Sequence, residues 1–132
     1  INLGHNVVGI DISNEMLRFA DKKNIPIINA DFKNIPFRNN LFESIISVSA
    51  LQWVWGSSRE EVIMKYNMIV KDIKRICKKD CLLGIQFYPE TDTEFSIVSK
   101  IFSKNGFKGS IVIDRWKNSK KNKKYLILKL TA

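Results

Sequence analysis

The apolar positions of this chain alternate between two spacings. Short runs rich in Ile and Val are separated by stretches in which apolar residues recur at helical intervals. Val7-Val8-Gly9-Ile10, ending at Asp11, reads as a strand buried on both faces. Ser13 then caps a helix, with Glu15 favoured in its first turn and Met16, Leu17 and Ala20 on one face. Pro26 closes that helix region, because the residue before a proline leaves the α conformation. Ile27-Ile28 make a second strand, ending near Asp31, and Ile35-Pro36-Phe37 with Asn39-Asn40 read as a turn-rich loop. Ser44 to Ser49 is a third strand. Val62, Tyr66, Ile69, Val70, Ile73 and Ile76 place a helix over roughly 59–77. Leu82 to Phe87 is a fourth strand, ending before Pro89. Thr91 or Asp92 caps a helix whose face is Phe95, Val98, Ile101 and Phe102, and Asn105-Gly106 stops it. Ile111-Val112-Ile113 and Tyr125-Leu126-Ile127-Leu128 form a hairpin across a lysine-rich turn.

The order β-α-β-β-α-β-α-β-β predicts an α/β layered domain with a mostly parallel sheet. The terminal hairpin adds one antiparallel strand at or near an edge. Sheets of this kind bind ligands beyond the carboxyl ends of their strands. That directs attention to Asp11, Asp31, Ser49 and the Gln52-Trp53 pair. A carboxylate at Asp11 offers two oxygens to two donors, as the hydroxyls of a ribose require. The competing reading is ordinary loop chemistry, with the aspartate capping the helix behind it. Asp31 can accept an adenine amino proton, with Phe32 against the ring. Trp53 can stack on a base, or can cover the core together with Trp55. Gln52 can hydrogen-bond a base edge or a cofactor. His5 has no role.

Composition sharpens some of this. The chain has 132 residues, 45% of them apolar, enough for one folded domain. No run approaches the ~20 apolar residues of a membrane span, and no signal-peptide pattern is visible at Ile1. Cys77 and Cys81 are too few for a disulfide scaffold or a four-ligand zinc site; they read as partly buried thiols flanking a turn, and no metal is expected. The net charge is +9. Residues 1–50 carry five basic and five acidic side chains, so the excess lies in residues 51–132. Its densest part is the turn holding Lys117, Lys120, Lys121, Lys123 and Lys124. Such a run suits phosphate. A chain with 19 Ile, 17 Lys and 12 Asn also has lysines by composition alone, and a lysine turn keeps a sheet end soluble.

Gly9-Ile10-Asp11-Ile12-Ser13 followed by Met16-Leu17 resembles the second motif of class I S-adenosylmethionine-dependent methyltransferases. Asp31, Ile35-Pro36-Phe37, Asn40, Phe42-Glu43 and Ile45 resemble the family's third motif with its adjoining loop and strand, Glu43 standing where Asp is usual. Ser47-Val48-Ser49-Ala50-Leu51-Gln52-Trp53 is similar to the end of the family's fourth strand. Gln86-Phe87-Tyr88-Pro89-Glu90, Gly106-Phe107-Lys108-Gly109 and residues 118–125 resemble one eukaryotic branch, the guanine-N7 methyltransferases of small-subunit ribosomal RNA. The resemblance runs from about Leu3 to Leu130. It implies a Rossmann-like sheet and S-adenosylmethionine as cofactor, with cofactor contacts at Asp11, Ile12, Ser13, Met16, Asp31, Phe32 and Ser49. It also implies ribosomal RNA as substrate, a role in ribosome biogenesis, and a nuclear or nucleolar location with some cytoplasmic protein. The partner it implies is a small zinc-binding activator subunit, added at the sheet edge beside Pro26-Ile27-Ile28. RNA contacts would fall on Lys117, Lys120, Lys121, Lys123 and Lys124.

Members of the family begin this domain with a central strand and a Gly-rich loop for the methionine end of the cofactor. The 132 residues contain no such loop; Gly4 is a lone glycine, and the family's basic tail is also absent. The expectation is therefore a single partial domain with a gap in its sheet, carrying the adenosine half of the site. No side-chain base is expected, since guanine N7 already holds a free lone pair and needs only alignment and exclusion of water. The amino-methylating Asn/Asp-Pro-Pro-aromatic motif is absent from the strand-four end. Two other readings stand beside this one: a small-molecule methyltransferase of the same fold, and a non-enzymatic RNA-binding assembly factor or inactive fragment.

Overall fold

The structure, a computed structural model, describes residues 3–114 and 123–131. The chain divides into two compact units, Ile1–Pro36 and Phe37–Ala132.

The first unit is a βαβ turn of chain: β1 (Gly9–Asp11), α1 (Asn14–Asp21) and β2 (Ile27–Asn29). β1 and β2 pair in parallel, Ile10 opposite Ile28 and Asp11 opposite Asn29. The ladder opens where the Gly9 N–H donates to the Pro26 carbonyl at 2.9 Å, so Val7 and Val8 lie before the strand they were expected to start. Ser13 caps α1 by accepting the Met16 N–H at 3.4 Å. Asn24, at φ +53°, turns the chain back toward β2; Asn tolerates that left-handed conformation better than most residues. No residue of β1, α1 or β2 is buried.

The second unit contains β3 (Phe42–Val48), a 3₁₀ turn (Leu51–Trp53), α2 (Arg59–Ile76), β4 (Cys77–Phe87), α3 (Asp92–Lys104), β5 (Phe107–Asp114) and β6 (Lys123–Leu130). Its sheet runs β3-β4-β6-β5, with β3 and β4 parallel and β6 antiparallel to both its neighbours. The expected antiparallel strand near an edge is β6, second from the end. Leu83, Ile85, Phe87, Leu126, Leu128 and Leu130 are buried on one face. α3 packs there, Phe95 stacking on Phe87 at 5.3 Å and Phe102 meeting Phe107 edge-on at 5.6 Å. The opposite face carries Ile46 and Val48, both exposed.

Two expectations change. β4 begins at Cys77, not Leu82, directly off the end of α2. Its register with β3 slips between Phe42 opposite Cys77 and Ser44 opposite Leu82, and Asp80 has φ +63°. The turn expected between the cysteines is therefore an irregular stretch of strand. It lets Lys78, Lys79 and Asp80 bulge to solvent while both thiols stay fully buried. Second, the strands form two sheets, and among the described residues β1 and β3 share no ladder. No described helix is long and apolar enough to cross a membrane. Lys117, Lys120 and Lys121 lie outside the described residues.

Candidate functional site

In the first unit, chain-local hydrogen bonds set the two aspartates. Asp11 ends β1, and its Oδ1 accepts the Ser13 N–H at 2.8 Å. This Asx turn leads the strand into the capped helix and leaves Oδ2 without a hydrogen bond among the described residues. Asn29 at the end of β2 secures the loop, its Nδ2 donating to the carbonyls of Asp11 and Ile12 at 3.3 and 3.1 Å. The Ala30 N–H donates to the Asp11 carbonyl at 3.1 Å. Asp31 repeats the device: Oδ1 accepts the Lys33 N–H at 2.9 Å. Because β1 and β2 are parallel neighbours, both aspartates leave the same end of the pair. Ile12 and Met16 stand 67% and 56% exposed beside Asp11, and Phe32 is half-buried after Asp31. Two carboxylates, each with one oxygen fixed and one available, next to uncovered apolar side chains, have the chemistry to accept hydroxyl and amino donors around a flat ring. These residue types fit an adenosine.

The second unit supplies a cavity of about 640 Å³ at the carboxyl ends of β3 and β4, within the range of small-ligand sites. Gln52, Trp55, Tyr66, Tyr88, Glu90 and Glu94 line it. Ser49 follows β3 directly at φ +53°, unusual for a residue with a side chain. It is held by its N–H donating to the Gln86 carbonyl at 2.8 Å, and its own carbonyl accepts Trp53 Nε1 at 3.2 Å. That bond sets Trp53, which does not line the cavity; Trp55 does. The Tyr66 hydroxyl lies 2.9 Å from the Leu51 carbonyl and 3.0 Å from Glu94 Oε1, so α2 ties the 3₁₀ turn to α3. Burial, then the Glu94 carboxylate, push the Tyr66 phenol well above its ordinary value, so it stays protonated. Glu94 Oε2 accepts the Glu90 N–H at 2.8 Å. Gln52 Oε1 is buried with no hydrogen-bond partner among the described residues, and such an atom costs free energy until something donates to it.

Of the lysines expected to meet RNA, Lys123 is exposed. Lys124 is engaged within the protein: it pairs with Asp92 at 2.5 Å and sits 5.1 Å over the Phe95 ring. Trp55, Tyr66, Tyr88 and Glu94 carry no site signal of their own in the sequence. Tyr66 falls on the apolar face of its helix and reads as core. Tyr88 belongs to the Tyr-Pro-Glu run that marked the resemblance, which was the one signal available for it.

A family profile described as "Methyltransferase domain" matches residues 1–85. The chain is 31% identical over 131 residues to the 18S rRNA (guanine-N(7))-methyltransferase of Schizosaccharomyces pombe, covering 95% of this chain and 49% of that protein. It is 26% identical over 130 residues to the enzyme of the same description from Arabidopsis thaliana, covering 95% and 45%. The chain thus spans about half the length of the curated relatives it matches. Among solved structures, a SAM-dependent methyltransferase from Methanosarcina mazei superposes with a TM-score of 0.72 at 12% identity, over 95% of this chain and 81% of that one. The N-methyltransferase NodS from Bradyrhizobium japonicum, in complex with S-adenosyl-l-homocysteine, does so with 0.67 at 11% identity, over 93% and 65%.

Proposed function

The chain belongs to the methyltransferase-domain family, with the Rossmann-like α/β fold of its class I members, and from that premise we propose that it serves S-adenosylmethionine-dependent methylation of guanine N7 in small-subunit ribosomal RNA during ribosome biogenesis. The observation that carries the cofactor is Asp11, at the end of a parallel strand with Oδ2 open and Ile12 and Met16 exposed beside it. Asp11 would hold the ribose hydroxyls, Ser13 and Ile12 the turn around them, and Asp31 the adenine amino group, with Met16 and Phe32 against the ring. Ser49, in the second unit, is the remaining candidate contact. When bound, S-adenosylmethionine supplies a methyl group on a sulfonium. The guanine and RNA parts rest on the curated relatives, which match over 95% of the chain.

The chain's own task is alignment. N7 carries its lone pair already, so no side chain must take a proton before attack. The chain just past β3 fits that economy, reading Ser49-Ala50-Leu51-Gln52 with no amino-methylating motif. Gln52, which lines the cavity, is the candidate contact for the base; Trp53, expected to stack on it, stands outside that lining. Lys117, Lys120, Lys121, Lys123 and Lys124 are the candidate phosphate contacts, Lys124 less so for its pairing with Asp92. The chain carries the adenosine-facing residues of a methyltransferase domain, its working place being the nucleus and nucleolus with some cytoplasmic protein. The activator subunit would add beside Pro26-Ile27-Ile28, where β2 pairs with β1 alone among the described residues and Ile28 is over a third exposed.

Transfer of labelled methyl from S-adenosylmethionine to small-subunit ribosomal RNA, against a panel of small amine and hydroxyl acceptors, tests this. Label in the RNA at guanine N7 is expected. Label in a small acceptor alone assigns the chain to small-molecule chemistry, and RNA binding without cofactor binding assigns it to assembly.

A further inference from the structure

The cavity of the second unit has a polar character that selects among ligands. Two helices begin at its rim, and a capping carboxylate serves the start of each. Glu61 Oε2 accepts the Ser57 N–H at 2.7 Å and its hydroxyl at 2.6 Å at the start of α2. Glu94 Oε2 accepts the Glu90 N–H at the start of α3. Arg59, exposed at the start of α2, is a cation in the lining, and deeper in it lies acceptor capacity. Gln52 Oε1 is buried and unserved. Glu94 Oε1 has one hydrogen-bond partner among the described residues, the Tyr66 hydroxyl, whose single proton is shared with the Leu51 carbonyl. The Glu90 side chain is exposed at the mouth. Trp55 and Tyr88 add flat apolar surface to the same lining.

We propose that this cavity grips a guanine by its donor edge, with Gln52 Oε1 and the carboxylates of Glu94 and Glu90 accepting the N1–H and 2-amino hydrogens while Trp55 and Tyr88 flank the ring. Guanine is the common base that sets two neighbouring donor groups on its Watson–Crick edge. Adenine and cytosine place an acceptor nitrogen beside their amino group, and uracil has one N–H between two carbonyls. A cluster of acceptors therefore accepts guanine and turns the others away, since each would leave acceptor facing acceptor. N7 lies across the purine from that edge, so the grip leaves it uncovered. The inference rests on the methyltransferase reading for its choice of a base, and it assigns specificity within that reading to Gln52, Glu90 and Glu94. Tyr66 is a positioning residue, holding Glu94 against the 3₁₀ turn that carries Gln52.

The test is binding of the intact chain to a short pyrimidine RNA bearing one central guanosine, inosine or adenosine, read by fluorescence anisotropy. Inosine keeps N1–H and N7 and lacks only the 2-amino group. Backbone attraction from the basic second half is common to all three and cancels in the ratios. Guanosine RNA is expected to bind about tenfold tighter than inosine RNA, one hydrogen bond to a buried acceptor being at stake. Gln52→Met with Glu90→Ala should bring the ratio to about one. Glu90→Ala alone, an exposed position, keeps the comparison available if the double variant unfolds, and should reduce the ratio. Equal binding of guanosine and inosine RNA, or a ratio that survives the substitutions, overturns the proposal. A parallel titration with S-adenosylhomocysteine separates the two readings. Cofactor binding with no guanosine preference sinks the guanine grip alone; guanosine preference without cofactor binding sinks the methyltransferase reading and leaves the grip.

Discussion

The two units of this chain are held by different physics. Between Gly9 and Lys33 no side chain of the regular elements is buried, and what order there is comes from hydrogen bonds: two Asx turns, one serine cap and a three-residue parallel ladder. In the second unit Tyr66, Phe87, Phe102 and Phe107 are each at most 1% exposed, packed between a four-stranded sheet and its helices. The candidate chemistry divides along the same line. The adenosine-accepting aspartates sit where backbone turns fix them, and the cavity sits where packed helices frame it. Substitutions should therefore separate stability from binding more cleanly than in a fold whose site and core coincide. A two-stranded sheet with one short helix has little of its own to resist unfolding.

The sharpest contrast comes from the core. Phe102→Ala should cost about 3–5 kcal/mol in denaturant unfolding, since it empties a fully buried site between α3 and β5. Tyr66→Phe should cost about 1–3 kcal/mol, because the one proton its buried hydroxyl shares between the Leu51 carbonyl and Glu94 is lost. It should also weaken the guanosine preference, which a purely structural tyrosine would leave intact. Leu17→Ala on α1 should cost under ~1 kcal/mol, its side chain being only partly buried; a loss as large as that of Phe102→Ala would break the division between the units. The smallest effect concerns pH. Hydrogen bonds from Lys65, then from the Ser57 side chain and backbone, lower the Glu61 carboxyl from 4.5 to about 2. A lowered folded-state value stabilises fully above the ordinary value and is lost as pH falls from 4.5 through about 2. Glu61→Gln should thus lie slightly below the parent in melting temperature at neutral pH, with the gap closing across that window.

Legibility in the sequence followed the range of the interactions. Ser13, the Thr91-Asp92 pair and Asn105 marked helix ends because a cap is decided within a few residues, and Thr91 is the one that caps. The faces of α2 and α3 were legible because Tyr66, Ile69, Val70 and Ile73, and Phe95, Val98, Ile101 and Phe102, repeat at the helical period and are the residues found buried. Asp11 and Asp31 were legible as strand-end acids. The start of β4 was not, because Lys78-Lys79-Asp80 lacks any strand pattern and is carried there by its partner β3 and the buried cysteines on either side. The cavity was not either. Gln52, Trp55, Tyr66, Tyr88 and Glu94 come from separate segments, and only the fold brings them to one lining. Lys124 reads as a phosphate contact in sequence and is drawn inward by Asp92 and Phe95, partners far from it along the chain.

Calorimetric titration of adenosine and of S-adenosylhomocysteine into the unaltered chain and into Asp11→Ala tests the central claim most directly. The account predicts one-to-one binding of both ligands, weakened about 10- to 100-fold by the substitution, as loss of a carboxylate acceptor implies, with the unfolding midpoint moved little. Binding that ignores Asp11, or no binding of either ligand to the folded chain, would contradict it.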